Sequence, residues 1–314
     1  MMRAISKLKV IECKYCYANW KAEISEGKEH FTSSIREFCQ PRDIQLYHAC
    51  GVYDAAGVPS EVCDVDYERY RQLAPCEGIT RDFSDAVYAG IREGSAVLVA
   101  GGYCNYAPAV AGGIQRALGD DTAIGLVWID AHADNRIVET SDGPVRMVGV
   151  PLSTMVGQTL PAYRKDICGL KVPLKGEHVL ASDIRIMDEA TANNLCKANI
   201  LRLDASVFKD AKAWENAVKE LASRVDVIYL SVDADILKAK YIPAYEKAVP
   251  YGQDLDVVMR NIRLVMETGK VCAYSVFCID FDHYERAGKY TYMSGLQLIA
   301  AGLSNWSQVP LGDA

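Results

Sequence analysis

The sequence predicts a doubly wound α/β fold with a mostly parallel sheet, on three observations. Short apolar runs recur along the chain with almost no polar alternation. Stretches with apolar residues at helical spacing lie between them. Glycines or acidic residues close most of the runs. A continuous apolar run suits a strand covered on both faces, and its alternation with amphipathic helices suits a parallel sheet. In chain order, strands are expected at residues 8–12, 44–48, 96–100, 124–129, 178–181, 225–231 and 273–279. Helices are expected at 80–93, ending before Gly94; at 107–118, after the Gly101-Gly102 turn and before Gly119; and at 211–224, 255–268 and 292–303. Residues 239–254, with Pro243, Pro250 and Gly252, read as a long loop. No repeat, low-complexity tract or linker divides the chain, so residues 1–314 are expected to form one domain.

Composition narrows the function classes. Half of the 314 residues are hydrophobic, ample for a large core. The 34 basic against 41 acidic residues give a net charge of -7, which offers no electrostatic footprint for nucleic acid. No apolar run is long enough to span a bilayer, and Met1 to Leu8 lead into no signal-peptide core. The eleven cysteines are scattered, several inside apolar runs, which reads as reduced thiols in a cytoplasmic protein. Cys13 and Cys16 form a lone CxxC with no second pair to complete a zinc site.

Two acidic clusters carry the chemistry. Asp130, His132 and Asp134 follow the run at 124–129, and Asp233 and Asp235 follow the run at 225–231. Residues i and i+2 of a strand share one face, so each cluster is expected to converge by alternation at a strand end. Four carboxylates around one imidazole repel each other without cations. Together they offer a mixed O/N site for divalent metal, two ions by count of ligands. In doubly wound sheets, ligands sit beyond the carboxyl ends of the strands, where both clusters lie.

These residues resemble the ureohydrolases, the family of arginase, agmatinase and formiminoglutamase. Asp130-Ala131-His132-Ala133-Asp134 matches their DAHxD motif, and Ser231-Val232-Asp233-Ala234-Asp235 the start of their SxDxDxxDP motif. Gly101-Gly102-Tyr103-Cys104-Asn105 sits where the family has GGDHS, and the stretch from Phe277 to Asp282 resembles the last strand. The resemblance implies a three-layer α/β/α sandwich and a dinuclear manganese hydrolase of a guanidino, hydroxyguanidino or formimino compound, working through a metal-bridging hydroxide. It implies metal ligands at Cys104, Asp130, His132, Asp134, Asp233 and Asp235, proton transfer at Asp134, and a contact from Asp280 to the cationic substrate group. It further implies a trimeric or hexameric homo-oligomer.

The departures separate this chain from an ordinary arginase. Cys104 stands for the histidine ligand of GGDHS and Tyr103 for its acidic residue. Lys238 replaces the third aspartate of the later motif, and Val148 stands where arginases have a histidine. Cys104 reads either as a thiolate ligand or as a small buried hydrophobe. Asp183 and Arg185 follow the strand at 178–181, where arginases hold the amino-acid end of the substrate; Arg185 either reads a carboxylate or pairs with Asp183 or Asp188. Two function classes remain: an active metal-dependent C–N hydrolase, and a degenerate homologue with reduced metal binding that serves as a binding or regulatory subunit.

Overall fold

The computed structural model describes residues 2–13, 20–32, 46–65, 75–243, 249–279 and 289–310. Eight strands form the central sheet: β1 (Leu8–Cys13), β2 (Ser60–Asp64), β3 (Ala96–Gly101), β4 (Ile124–Ile129), β5 (Val179–Ser182), β6 (Leu201–Leu203), β7 (Val227–Asp233) and β8 (Val271–Phe277). Their spatial order is β6-β5-β4-β7-β8-β3-β1-β2, and every neighbouring pair is parallel. Strands β3, β4, β5, β7 and β8 are buried along their whole length, as their largely apolar sequences require.

Six main helices flank the sheet: α1 (Pro75–Arg92), α2 (Ala107–Leu118), α3 (Glu189–Lys197), α4 (Ala211–Arg224), α5 (Leu255–Met266) and α6 (Lys289–Leu303). From β2 to β6 the chain steps toward the β6 edge, and from β6 to β8 it steps back. Right-handed crossovers therefore put α1, α2 and α3 on one face and α4 and α5 on the other. The packing agrees: α1 lies against α2, while α5 lies against both α4 and α6. The helices dock through stripes, as in α5, where Leu255, Val258, Ile262, Val265 and Met266 are buried. Asp188 caps α3 in a reciprocal box with Thr191, and Asp210 caps α4 through the amides of Lys212 and Ala213. None of the described helices is long and apolar enough to cross a membrane.

The doubly wound α/β class is borne out. The strand expected at 44–48 is not: Leu46–Ala49 form one helical turn beside a left-handed Gly51, and the residues before it lie outside the described set. Among the described residues, no strand partner completes the hydrogen bonds of that run. Two edge strands and α3 had no apolar pattern to announce them: two of the three residues of β6 are exposed, and α3 is rich in Asn and Thr. An antiparallel ribbon of Lys21–Ser25, Lys28–Thr32 and Val145–Arg146 lies outside the main sheet.

One feature of the topology positions the site. After β4 the chain turns toward one edge, and after neighbouring β7 toward the other. The loops leave a crevice at the carboxyl ends of these two strands.

Candidate metal centre

The strand registers bring five strand ends to that crevice. Ile129 pairs with Val232, so Asp130 and Asp233 leave adjacent strands side by side. Asp233 in turn pairs with Phe277, which sets Cys278 beside it. The Cys278 amide donates to Gly102 O at 2.8 Å, tying the end of β8 to the turn that carries Cys104. On the other flank, Ile129 pairs with Ser182, and Asp183 follows.

The acidic motifs do not converge by strand alternation. Strand β4 ends at Ile129, and Asp130 to Asp134 form an irregular turn in which Asp134 has φ 44°. Asp130 Oδ1 accepts the His132 amide at 2.6 Å and shapes this turn. Asp233 is the last residue of β7 and accepts the Asp235 amide at 2.9 Å. Asp235 then reaches across: Oδ1 accepts the Ala131 amide at 3.1 Å, and Oδ2 lies 2.6 Å from His132 Nδ1. Convergence comes from these side-chain-to-backbone turns, not from pleat.

Two groups of metal-type donors result. Asp130, His132 and Asp235 offer atoms within 4.8 Å of one another, and so do Cys104, Asp233 and Cys278. All are buried except His132, which opens to a cleft of about 1180 Å³. Asp134, Cys104, Asp233, Asp235 and Cys278 also line that cleft, and the Cys104 thiol donates to Val148 O at 3.6 Å.

Buried carboxylates crowded together dominate the electrostatics here. Burial, then the neighbouring Asp134 and Asp235, pushes the Asp130 carboxyl well above its usual range. Burial, then Asp235 and Asp130, does the same to Asp233. Asp134 is pushed up to about 7, chiefly by burial. Burial would lower His132, but Asp130 and Asp235 overcome it and raise it to about 12. Asp130 Oδ2 is buried with no hydrogen-bond partner. Such a set keeps protons unless cations of higher charge replace them. An orphaned buried carboxylate oxygen, three further carboxylates and an imidazole fit divalent ions; the two thiols are a softer addition.

Three non-glycine residues at this end of the sheet lie in the left-handed region: Asp134 (φ 44°), Asp183 (φ 59°) and Cys278 (φ 58°). Each costs on the order of 1–3 kcal/mol, strain that clusters where side chains are aimed for a task.

The remaining candidates fall elsewhere. Arg185 is a brace: Nη1 donates to Asp183 Oδ2 at 3.0 Å, Nη2 to Asp235 O at 2.9 Å and Nε to Pro250 O at 2.9 Å. It ties the loop ending at Pro250 to the Asp233–Asp235 turn, while Asp188 pairs with Arg136. Asp183 and Arg185 bond to each other, Arg185 also to the Asp235 backbone, and they do not line the cleft. Lys238 pairs with Asp254. Asp280 and Cys16 lie outside the described residues. Sequence reasoning passed over Cys278, whose only signal is its place one residue past an apolar strand. It also passed over Arg146 and Lys197, exposed cations on the cleft wall.

Known proteins place this architecture. The chain matches the sequence profile of the arginase family over residues 22–301. It is 28% identical over 206 residues to the arginase of Glaciozyma antarctica, covering 63% of this chain and 58% of that protein. It is 28% identical over 215 residues to the formimidoylglutamase of Salmonella arizonae, covering 67% and 61%. The matched segment thus spans less than two thirds of the length of these relatives. Among solved structures, the arginase of Bacillus cereus superposes with a TM-score of 0.75 at 18% identity, covering 95% of this chain and 98% of that one. The formimidoylglutamase of Bacillus subtilis superposes with a TM-score of 0.64 at 14% identity, covering 96% and 88%.

Proposed function

Because this chain belongs to the arginase family, we propose that it is a metal-dependent hydrolase of a linear C–N bond in a guanidino, hydroxyguanidino or formimino compound. The observation that supports this best is the packing of Asp130, His132 and Asp235 within 4.8 Å at the wall of an open cleft, with Asp233 in register beside them. Asp130, His132, Asp134, Asp233 and Asp235, with Cys104, would hold two divalent ions, manganese by the family resemblance. Bound ions supply Lewis acidity and acidify water near neutral pH.

The chain's own groups do the rest. Asp134, on the cleft wall beside the metal ligands, accepts and returns a proton during the reaction. Asp280 pairs with the cationic end of the substrate. Asp183 and Arg185 act from outside the cleft lining, Arg185 by fixing the turn that presents Asp235. Arg146 and Lys197, neither in an ion pair among the described residues, offer the cleft wall to an anionic substrate end. Val148 has no proton to give, so poor leaving groups lack acid assistance, which typically contributes ~10²–10⁴-fold. Arginine is therefore a slow substrate, and hydroxyguanidino or formimino compounds are better ones.

The test is manganese reconstitution with elemental analysis, followed by a screen of these three compound classes for urea, formamide or ammonia release. Asp134→Asn should lose ~10²–10⁴-fold in turnover while staying folded. Metal-free protein after reconstitution would overturn the reading and favour the degenerate subunit. Arginine turnover at ordinary arginase rates would overturn the specificity.

A further inference from the structure

We propose that Cys104, Cys278 and Asp233 form a thiolate-rich subsite that selects a soft divalent ion, zinc, beside the harder Asp130–His132–Asp235 subsite. The proposal rests on the metal-centre reading above and concerns which ion each half takes. The two donor groups differ in chemistry: one is two oxygens and a nitrogen, the other two sulfurs and an oxygen. Thiolates favour zinc over manganese, which prefers oxygen and nitrogen.

The geometry suits tetrahedral zinc. Zinc–sulfur bonds of ≈ 2.3 Å place two ligating sulfurs ~3.8 Å apart at tetrahedral angles, within the 4.8 Å that bounds the Cys104, Asp233 and Cys278 donors. Cys104 is 3% exposed, Cys278 2% and Asp233 4%, so the donors are largely withdrawn from water while still facing the cleft. The cleft that Cys104, Asp233 and Cys278 line leaves the fourth position to water or to a cleft-lining group.

Inert packing does not explain the pair. The two cysteines come from separate strand ends, and a backbone bond from Cys278 to Gly102 draws them together. Cys278 adopts a left-handed backbone that an ordinary core filler has no reason to hold. Both thiols, though part of the core, lie within 4.8 Å of an Asp233 oxygen. On binding, each thiol gives its proton to solvent and its sulfur lone pair to the ion, with no change in oxidation state.

The test uses reduced, metal-free, full-length protein titrated with cobalt as a spectroscopic stand-in. Wild type should develop strong thiolate-to-cobalt charge-transfer absorption, saturating at one ion per chain. Stoichiometric zinc should bleach it and a large excess of manganese should not. Cys278→Ser should lose about half of that absorption or more, and should still bind one manganese at the Asp130–His132–Asp235 subsite by electron paramagnetic resonance. In wild type, zinc and not manganese should protect Cys104 and Cys278 from alkylation mapped by mass spectrometry, a readout that needs no variant. Absence of the charge-transfer band, displacement of zinc by manganese, or a Cys104–Cys278 disulfide that persists under reductant would each overturn the proposal. Two bound manganese ions with turnover would sink it and leave the hydrolase reading standing; failure to bind any metal would sink both.

Discussion

Asp130→Asn separates the two jobs this residue does. Asp130 is 1% exposed, its Oδ1 accepts the His132 amide at 2.6 Å, and its Oδ2 has no partner. Asparagine has the same shape and retains the turn bond through its carbonyl oxygen. It removes one charge from a cluster whose carboxyls are already forced upward by burial and mutual repulsion. In chelator, the variant should therefore melt within a degree or two of wild type, or above it, since removing a repelling buried charge is often neutral or stabilising. With metal the sign reverses. At a free ion concentration of about 100 times Kd, binding stabilises wild type by ≈ 2.7 kcal/mol. At roughly 2 °C per kcal/mol for a chain of this size, that is a rise of about 5 °C. If losing the ligand weakens binding about 100-fold, the same concentration yields only ~0.4 kcal/mol, about 1 °C. Thermal melts of both proteins in chelator and in metal make the comparison. An equal metal-induced rise in both, or a large loss of stability of the variant in chelator, would refute the reasoning.

Three further outcomes are expected. Metal affinity should fall as pH drops through about 7, because Asp134, held there chiefly by burial, must ionise to ligate and His132, held near 12 by Asp130 and Asp235, must yield its proton. In the metal-free protein Asp134 acts with the opposite sign. Its folded value lies above the 3.8 of the free group, so its stabilising contribution is complete below about 4 and lost as pH rises to about 7; melts across that window, with and without metal, should diverge. Arg146→Ala and Lys197→Ala should each raise KM for an acidic substrate by about fivefold with kcat unchanged, the size of an exposed ionic contact, and equal effects on a neutral substrate would remove these residues from its recognition. Gly252→Ala should cost about 1–3 kcal/mol in denaturant melts, because a Cβ there would meet the Leu237 backbone at 2.4 Å; an unperturbed melt would show that this loop yields freely.

Much of the molecule was legible from local pattern. The strands expected at 96–100, 124–129 and 273–279, found at 96–101, 124–129 and 271–277, are apolar apart from Ser275 because both faces of the sheet are covered, and that property is written residue by residue. Helix α2 ends at Gly119 and α4 begins at Asp210, as glycine and aspartate punctuate the chain there. The five residues of the two acidic motifs were legible for a related reason: carboxylates that close an apolar strand have few uses other than a site. What could not be read was anything decided by partners distant in the chain. The turns that aim Asp130, His132 and Asp235 depend on bonds between two separate loops. Arg185, equally ready on paper to grip a substrate, is consumed in bracing the backbone at Asp235 and Pro250. Cys278 has no local signature beyond its place one residue past an apolar strand. It meets Cys104 because β8 lies between β7 and β3 in the sheet, and strand order is set by which long-range pairings bury the most surface, a quantity that no short window of sequence contains.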